Sequence, residues 1–269
     1  MPDYHYFCNR GAKDILPLYR NAAATEPNIL PGLLELLSKA YQHPVGPDDL
    51  AAYIYAVLAH SAFSEKFHTE LASREVRVPL TREAALFARG VDLGRRLIRL
   101  HSYGERMLAE NDKKGLIPTG SAKCRKAVPG DPEGYPVAFS YNEGTGTLHV
   151  GAGEFAPVSP EVYYFEVSGL KVVQSWLNYR MKEKSGRKSS PLDDIRPERW
   201  TAEYTEGLLR LLWVLEATLE TYPAQKALLD DILAGPIFAA DDLPPIPEAS
   251  RKAPDIPKAV RVEQQSLLA

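Results

Sequence analysis

The sequence predicts an α+β fold, mostly helical with a small antiparallel β-sheet, and three patterns carry that expectation. Apolar residues recur every three to four positions from about Asn28 to Met107, and again from Ala202 to Leu233, as in helices that bury one face. Between these regions Tyr135, Val137, Phe139 and Tyr141 alternate with smaller or polar neighbours. Leu148 and Val150 follow a polar turn, completing a hairpin. With 269 residues, 45% of them apolar, the chain has the material for a sizeable core.

Taken in order, residues 1–110 form a helical N-terminal part. Tyr4 to Arg20 has no clean period, and Asn9, Arg10 and Gly11 suit a turn. In the first helix Pro31 suits the opening turn, and Leu33, Leu34, Leu37 and Tyr41 form its stripe. Pro47, Asp48 and Asp49 open a second helix, where early carboxylates complement the helix dipole. Phe63 to Leu71 reads as a third. Arg77 to Leu80 is an extended connector, after which Thr81 caps a long helix reaching about Met107. Gly90 and Gly94, four residues apart on that helix, imply the close approach of another helix. His101, Tyr103, Glu105 and Arg106 read as a local polar network that ends it.

Residues 111–134 lack periodicity and read as a mobile basic loop, with five Lys/Arg against one Asp/Glu from Asn111 to Lys126. Residues 135–235 hold the sheet, a recognition helix and the core helices, in the same compact domain as 1–110. The stretch from Pro160 to Val167, rich in Val, Tyr and Phe, reads as a further strand. Ala202 to Thr221 is a long core helix whose leucines surround Trp213, and Ala224 to Leu233 a shorter one. Residues 236–269 are a proline-rich extended or disordered tail.

The net charge of −3 excludes a generally basic nucleic-acid binder, so any contact with DNA must come from local patches. Lys171 to Arg199 is such a patch, with eight Lys/Arg against four Asp/Glu. It begins as an amphipathic helix to Lys182. Val172, Val173, Trp176, Leu177 and Tyr179 lie on one side, with Lys171, Gln174, Ser175, Asn178 and Lys182 on the other. Amides suit the edge of adenine and ammonium groups suit phosphates. An ordinary solvated helix presents the same composition, and the residues alone leave both readings open.

Several chemistries have no footing here. Cys8 and Cys124 make neither a disulfide framework nor a four-ligand zinc pattern, and His60 and His68 are too far apart for adjacent helical ligands. Asp242-Leu243-Pro244-Pro245-Ile246 lacks the spacing and the aromatic residue of an amino-methyltransferase loop. Val150-Gly151-Ala152-Gly153 is explained by a turn, and no Gly-Lys dipeptide exists for an ATP-binding phosphate loop. Asp193 and Asp194 are not followed by the Glu-x-Lys of a nuclease strand. No signal sequence or long uninterrupted apolar run is present, and the expectation is a soluble, cytoplasmic protein with no membrane partner.

The blocks YHYFCNRGAKDILPLYR, DLAAYIYAVLAHSAF, REVRVPLT, RLIRLHSYGER, GLKVVQSWLNYRMK and KSSPLDDIRPERW, in this order, resemble the C-terminal target-recognition part of type ISP restriction-modification proteins and of related adenine-specific DNA methyltransferases. The resemblance runs from about Tyr4 to Pro245. It implies a module that binds double-stranded DNA for a methyltransferase catalytic domain, which lies upstream or on another chain. In such proteins the first segment leads out of the catalytic part, so the expectation is a chain cut near a domain boundary or a separately encoded subunit. No catalytic residue and no cofactor are expected in this chain; S-adenosylmethionine belongs to the implied catalytic partner. Lys182, Lys184, Arg187 and Lys188 are expected at phosphates, with Lys171 on the same polar face. Gln174 and Asn178 are expected at bases, and Lys123, Arg125 and Lys126 as a second clamp. The alternative is a module that couples proteins within such a complex without DNA affinity of its own.

Overall fold

The computed structural model describes residues 17–72, 76–108, 111–167, 169–182 and 199–248. These form an α+β fold built on two hydrophobic cores that share a wall. The first core is helical. It gathers α1 (Leu33–Tyr41), α2 (Pro47–Leu58), α3 (Ser61–Lys66), α5 (Ala84–His101) and α9 (Tyr222–Ala234), with α4 (His68–Ala72) at its edge. Leu37, Tyr53, Phe87, Leu228 and Ile232 are buried there. Each side chain of this kind contributes roughly 1.5–3 kcal/mol when removed from water.

Local chemistry sets these helices. In α2 the Asp49 Oδ2 accepts the Gly46 N–H at 2.8 Å, and Pro47 occupies the first turn as expected. The helix expected from Phe63 to Leu71 is instead broken at Phe67 into α3 and α4, and His60 caps α3 by accepting the Ala62 N–H at 3.0 Å. The long helix α5 stops at His101, short of Met107. Tyr103 and Gly104 there adopt left-handed backbone (φ 53° and 78°), and the backbone of Leu116 packs directly against Gly104. Gly90 and Gly94 do bring α2 and α5 close. A Cβ at Gly94 would lie 1.8 Å from the Ala52 carbonyl oxygen, and one at Gly90 2.5 Å from the Tyr53 ring.

The second core forms around a four-stranded antiparallel sheet in the order β1-β4-β3-β2. Its strands are β1 (Lys123–Lys126), β2 (Phe139–Asn142), β3 (Thr147–Val150) and β4 (Gly153–Ala156). Leu148 and Phe155 face each other across β3 and β4 and are fully buried. Gly151, at φ 55°, turns β3 into β4, so the Gly-Ala-Gly stretch is a hairpin turn. The stretch expected as a strand from Pro160 opens instead with α6 (Pro160–Tyr163). Ser159 accepts the Val162 N–H and Pro160 pre-sets the first turn, so capping overrides the strand-favouring Val and Tyr residues. A two-residue hairpin follows, β5 (Glu166–Val167) and β6 (Leu170–Lys171), and it leads into α7 (Val172–Asn178). Val173 and Leu177 of α7 close one side of this core, and Leu208, Leu211, Leu212 and Leu215 of α8 (Ala202–Leu219) close the other.

The cores join along α5, α8 and α9. Leu100 packs with Val214 and Ala217. His101 sits between Tyr55, whose hydroxyl is 2.6 Å from Nδ1, and Thr218, whose hydroxyl is 2.9 Å from Nε2. Gln225, 2% exposed, donates to the carbonyls of Ala56 and Ala59. The shorter helix read with the sheet region, α9, thus packs with the N-terminal helices. The segment after Pro236 begins by lying on the connector before α5. Phe238 N–H donates to the Leu80 carbonyl, and Arg82 pairs with Asp242 at 2.5 Å.

Candidate nucleic-acid interface

The stretch 111–134, expected as a mobile loop, carries the edge strand β1. Lys123, Arg125 and Lys126 are exposed on it, and the half-buried Cys124 faces the core, its thiol pKa raised by burial. The register against β4 slips at Arg125. Cys124 opposes Phe155 and Lys126 opposes Glu154, leaving Arg125 as the bulged residue, its Nε donating to the Ala156 carbonyl at 3.2 Å. The entry to β1 is fixed from α8. The Glu216 carboxylate accepts from the Ser121 N–H at 2.6 Å, the Ser121 hydroxyl at 2.9 Å and the Ala122 N–H at 3.2 Å, while Trp213 Nε1 donates to the Ala122 carbonyl at 2.8 Å. A cation-bearing edge strand is also a protection against strand pairing between chains. Here it is in addition held at its start by a buttress from the core helix.

The second basic stretch starts on α7. The helix ends at Asn178 rather than continuing to Lys182, because Met181 turns into the sheet core and the Lys182 N–H is taken by the Pro136 carbonyl at 2.8 Å. Lys171, Asn178 and Lys182 are exposed. Gln174 is half-buried, and its amide donates to the Tyr163 carbonyl at 3.3 Å, so its donor group already serves the end of α6. Tyr179, expected in the apolar stripe, is 68% exposed. Lys184, Arg187 and Lys188 lie outside the described residues. Pro136 precedes β2, so the stretch ending at Lys182 meets the sheet at the edge opposite β1. Three strand spacings separate those edges, about 14 Å.

Pairing of charge differs between α5 and the residues around the sheet. Four arginines of α5 have carboxylate partners: Arg89 with Asp231 at 2.8 Å, Arg95 with Asp49 at 2.7 Å, Arg96 with Glu220 at 3.5 Å, and Arg99 with Asp112. Around the sheet, Lys123, Arg125, Lys126, Lys171, Arg180 and Arg210 have no ion pair among the described residues. Arg180 and Arg210 were not singled out from the sequence. The four-residue spacing of Trp176 and Arg180 was the available signal, since it stacks a guanidinium on an indole. The polar run after α5 disperses rather than forming one network: Tyr103 offers its carbonyl to Arg210, and Glu105 pairs with Lys114 at 3.1 Å.

The model of the type ISP C-terminal specificity domain family matches residues 1–211. No curated protein matches the chain. Among solved structures, one described as the cryoEM structure of a DrdV-DNA complex is similar at 17% identity with a TM-score of 0.48, over 82% of this chain and 21% of that one. No helix of the described residues is long and apolar enough to cross a membrane. With more than three quarters of its length matched, the chain belongs to the type ISP C-terminal specificity domain family.

Proposed function

We propose that this chain is the DNA target-recognition module of a restriction-modification type adenine DNA methyltransferase, acting in the cytoplasm. It binds duplex DNA so that a catalytic domain, elsewhere in a longer protein or on another chain, methylates adenine with S-adenosylmethionine. The observation that carries this reading is that Lys123, Arg125, Lys126, Lys171, Arg180 and Arg210, around the sheet of a specificity-domain fold, have no ion pair among the described residues. Lys123, Arg125 and Lys126 on β1 grip one stretch of phosphates. Lys171 and Lys182 grip another, and the sheet edge that Lys182 meets lies at a separation from β1 suited to contacts across one groove of about 12 Å. Lys184, Arg187 and Lys188, which follow in the sequence, are assigned to the same stretch of phosphates. Asn178, exposed at the end of α7, is the amide placed to read a base edge; Gln174 supports the helix from below.

A selection from a randomised duplex pool tests this reading. The purified chain should enrich a short motif, with affinity falling steeply between low and moderate salt as several phosphate contacts release counterions. Absence of both enrichment and salt dependence sinks it. A second reading, a module that couples proteins without DNA affinity, is favoured by one feature. Tyr164, Val167 and Leu170, on and beside the β5–β6 hairpin, are each more than half exposed. Under that reading the pool yields nothing, and polar replacements at Val167 and Leu170 abolish association with a catalytic partner.

A further inference from the structure

A cleft of about 410 Å³ opens between α7 and α8, lined by Trp176, Arg180, Tyr204, Gly207, Arg210 and Tyr103, with Glu105 and Glu203 also at its wall. Both guanidiniums are placed by groups that leave their charge uncompensated. Arg180 stacks 3.7 Å above the Trp176 ring and 5.4 Å from the Tyr204 ring, and its Nη1 donates to the Trp176 carbonyl at 2.9 Å. Its Nε is buried without an acceptor. Arg210 lies 5.5 Å over the Tyr103 ring, and its Nη2 donates to the carbonyls of Tyr103 and Gly115 at 3.2 and 3.0 Å. Neither pairs with a carboxylate among the described residues. Glu105 is engaged by Lys114, and Glu203 is exposed in the first turn of α8, beside the positive end of that helix.

We propose that this cleft is a binding site for a phosphate group. A half-buried cation with unused N–H donors is stabilised by an anion that brings several acceptor oxygens, and guanidiniums from two elements suit a tetrahedral oxyanion. Main-chain carbonyls and aromatic faces hold both side chains before any ligand arrives, so little ordering remains on binding. Burial lowers the pKa of Arg180, as expected for a cation that lacks a counter-charge. The volume exceeds that of an isolated phosphate and admits the group carrying it. The phosphate is either one of a DNA strand or a free phosphate, and the first case rests on the function proposed above.

The test uses the full chain, titrated separately with inorganic phosphate and with a short duplex. Intrinsic fluorescence reports on the site because Trp176 lies under Arg180. Arg180→Gln should weaken phosphate binding about tenfold or more, as loss of a charged hydrogen-bonding group does. Gly207→Val should do the same by narrowing the cleft with no change of charge, since even a Cβ there lies 3.3 Å from the Trp176 ring. Arg210→Gln is secondary, because Arg210 also ties Tyr103 and Gly115. Circular dichroism checks that each variant folds. If phosphate and duplex compete and both variants weaken both ligands, the site takes DNA phosphate. If phosphate binds and is lost in the variants while duplex never binds, the site stands with a free phosphate and the DNA reading falls. If duplex binds the variants as it binds the parent and phosphate does not saturate, the site is overturned and the DNA reading stands. If neither ligand binds, both are overturned.

Discussion

Helix α5 of the helical core and the surroundings of the sheet use their charges in opposite ways. On α5, arginines reach neighbouring helices and loops and end on carboxylates, so the charge is absorbed by the structure. Around the sheet, guanidiniums and ammonium groups end on carbonyls, on aromatic faces or in solvent. Exposed ion pairs contribute little to stability, so the paired set matters chiefly because it cannot serve as an anion site. The unpaired set raises the electrostatic potential of one region within an acidic protein, which is where a polyanion would be drawn.

The largest way to break this comparison is to break the helical half itself. Gly94→Ala places a methyl group against the Ala52 carbonyl, and α2 and α5 must part. Overpacking of this kind costs about 1–3 kcal/mol or more, and thermal unfolding should show a loss at or above the top of that range. A loss below about 1 kcal/mol would mean the helices slide apart easily. Gln225→Ala should come next, because it strands the carbonyls of Ala56 and Ala59 where the cores meet, at about 1–3 kcal/mol in denaturant unfolding.

Replacing Lys123, Arg125 and Lys126 together by Ala should leave stability within about 0.5 kcal/mol. It should weaken every duplex alike and reduce the salt slope by roughly one for each phosphate that is no longer neutralised. Arg95→Ala is the matched control from the paired set. It should cost about 0.2–1 kcal/mol and leave the salt slope untouched, and an equal effect on DNA from both changes would erase the distinction between the two halves.

The smallest effect is a pH dependence at the joint. Burial lowers the pKa of His101 below its usual 6.5, and His60 is lowered for the same reason. In the unfolded chain both imidazoles take a proton near pH 6.5, whereas the folded state resists protonation. Stability is therefore full above that pH and declines as pH falls through it. His101→Gln should flatten the decline in unfolding midpoints measured across that window. A profile equally steep without His101 would place the titration elsewhere.

Much of the helical half was legible because its apolar residues keep a regular period. Gly90 and Gly94 were legible as a contact because small residues four apart mark one face of a helix. The basic strand β1 was not, since Lys-Cys-Arg-Lys shows only one apolar position and its pairing with β4 spans some thirty residues. Gln174 read as a free amide because sequence spacing gives the face of a helix but not what packs beneath it; the Tyr163 carbonyl decided that. In α6 a strand-like composition yielded to the cap at Ser159, a local signal of one hydrogen bond and one proline.

By itself the sequence determined the fold class, most helix positions, the family and the two basic stretches, because periodicity, composition and block order are local and additive along the chain. Only the tertiary structure decided which cations remain unpaired and which converge, as Arg180 and Arg210 do from separate elements. Those outcomes depend on partners distant in the sequence, such as Glu216 for Ser121 or Asp231 for Arg89, and on the geometry that brings them within hydrogen-bonding distance.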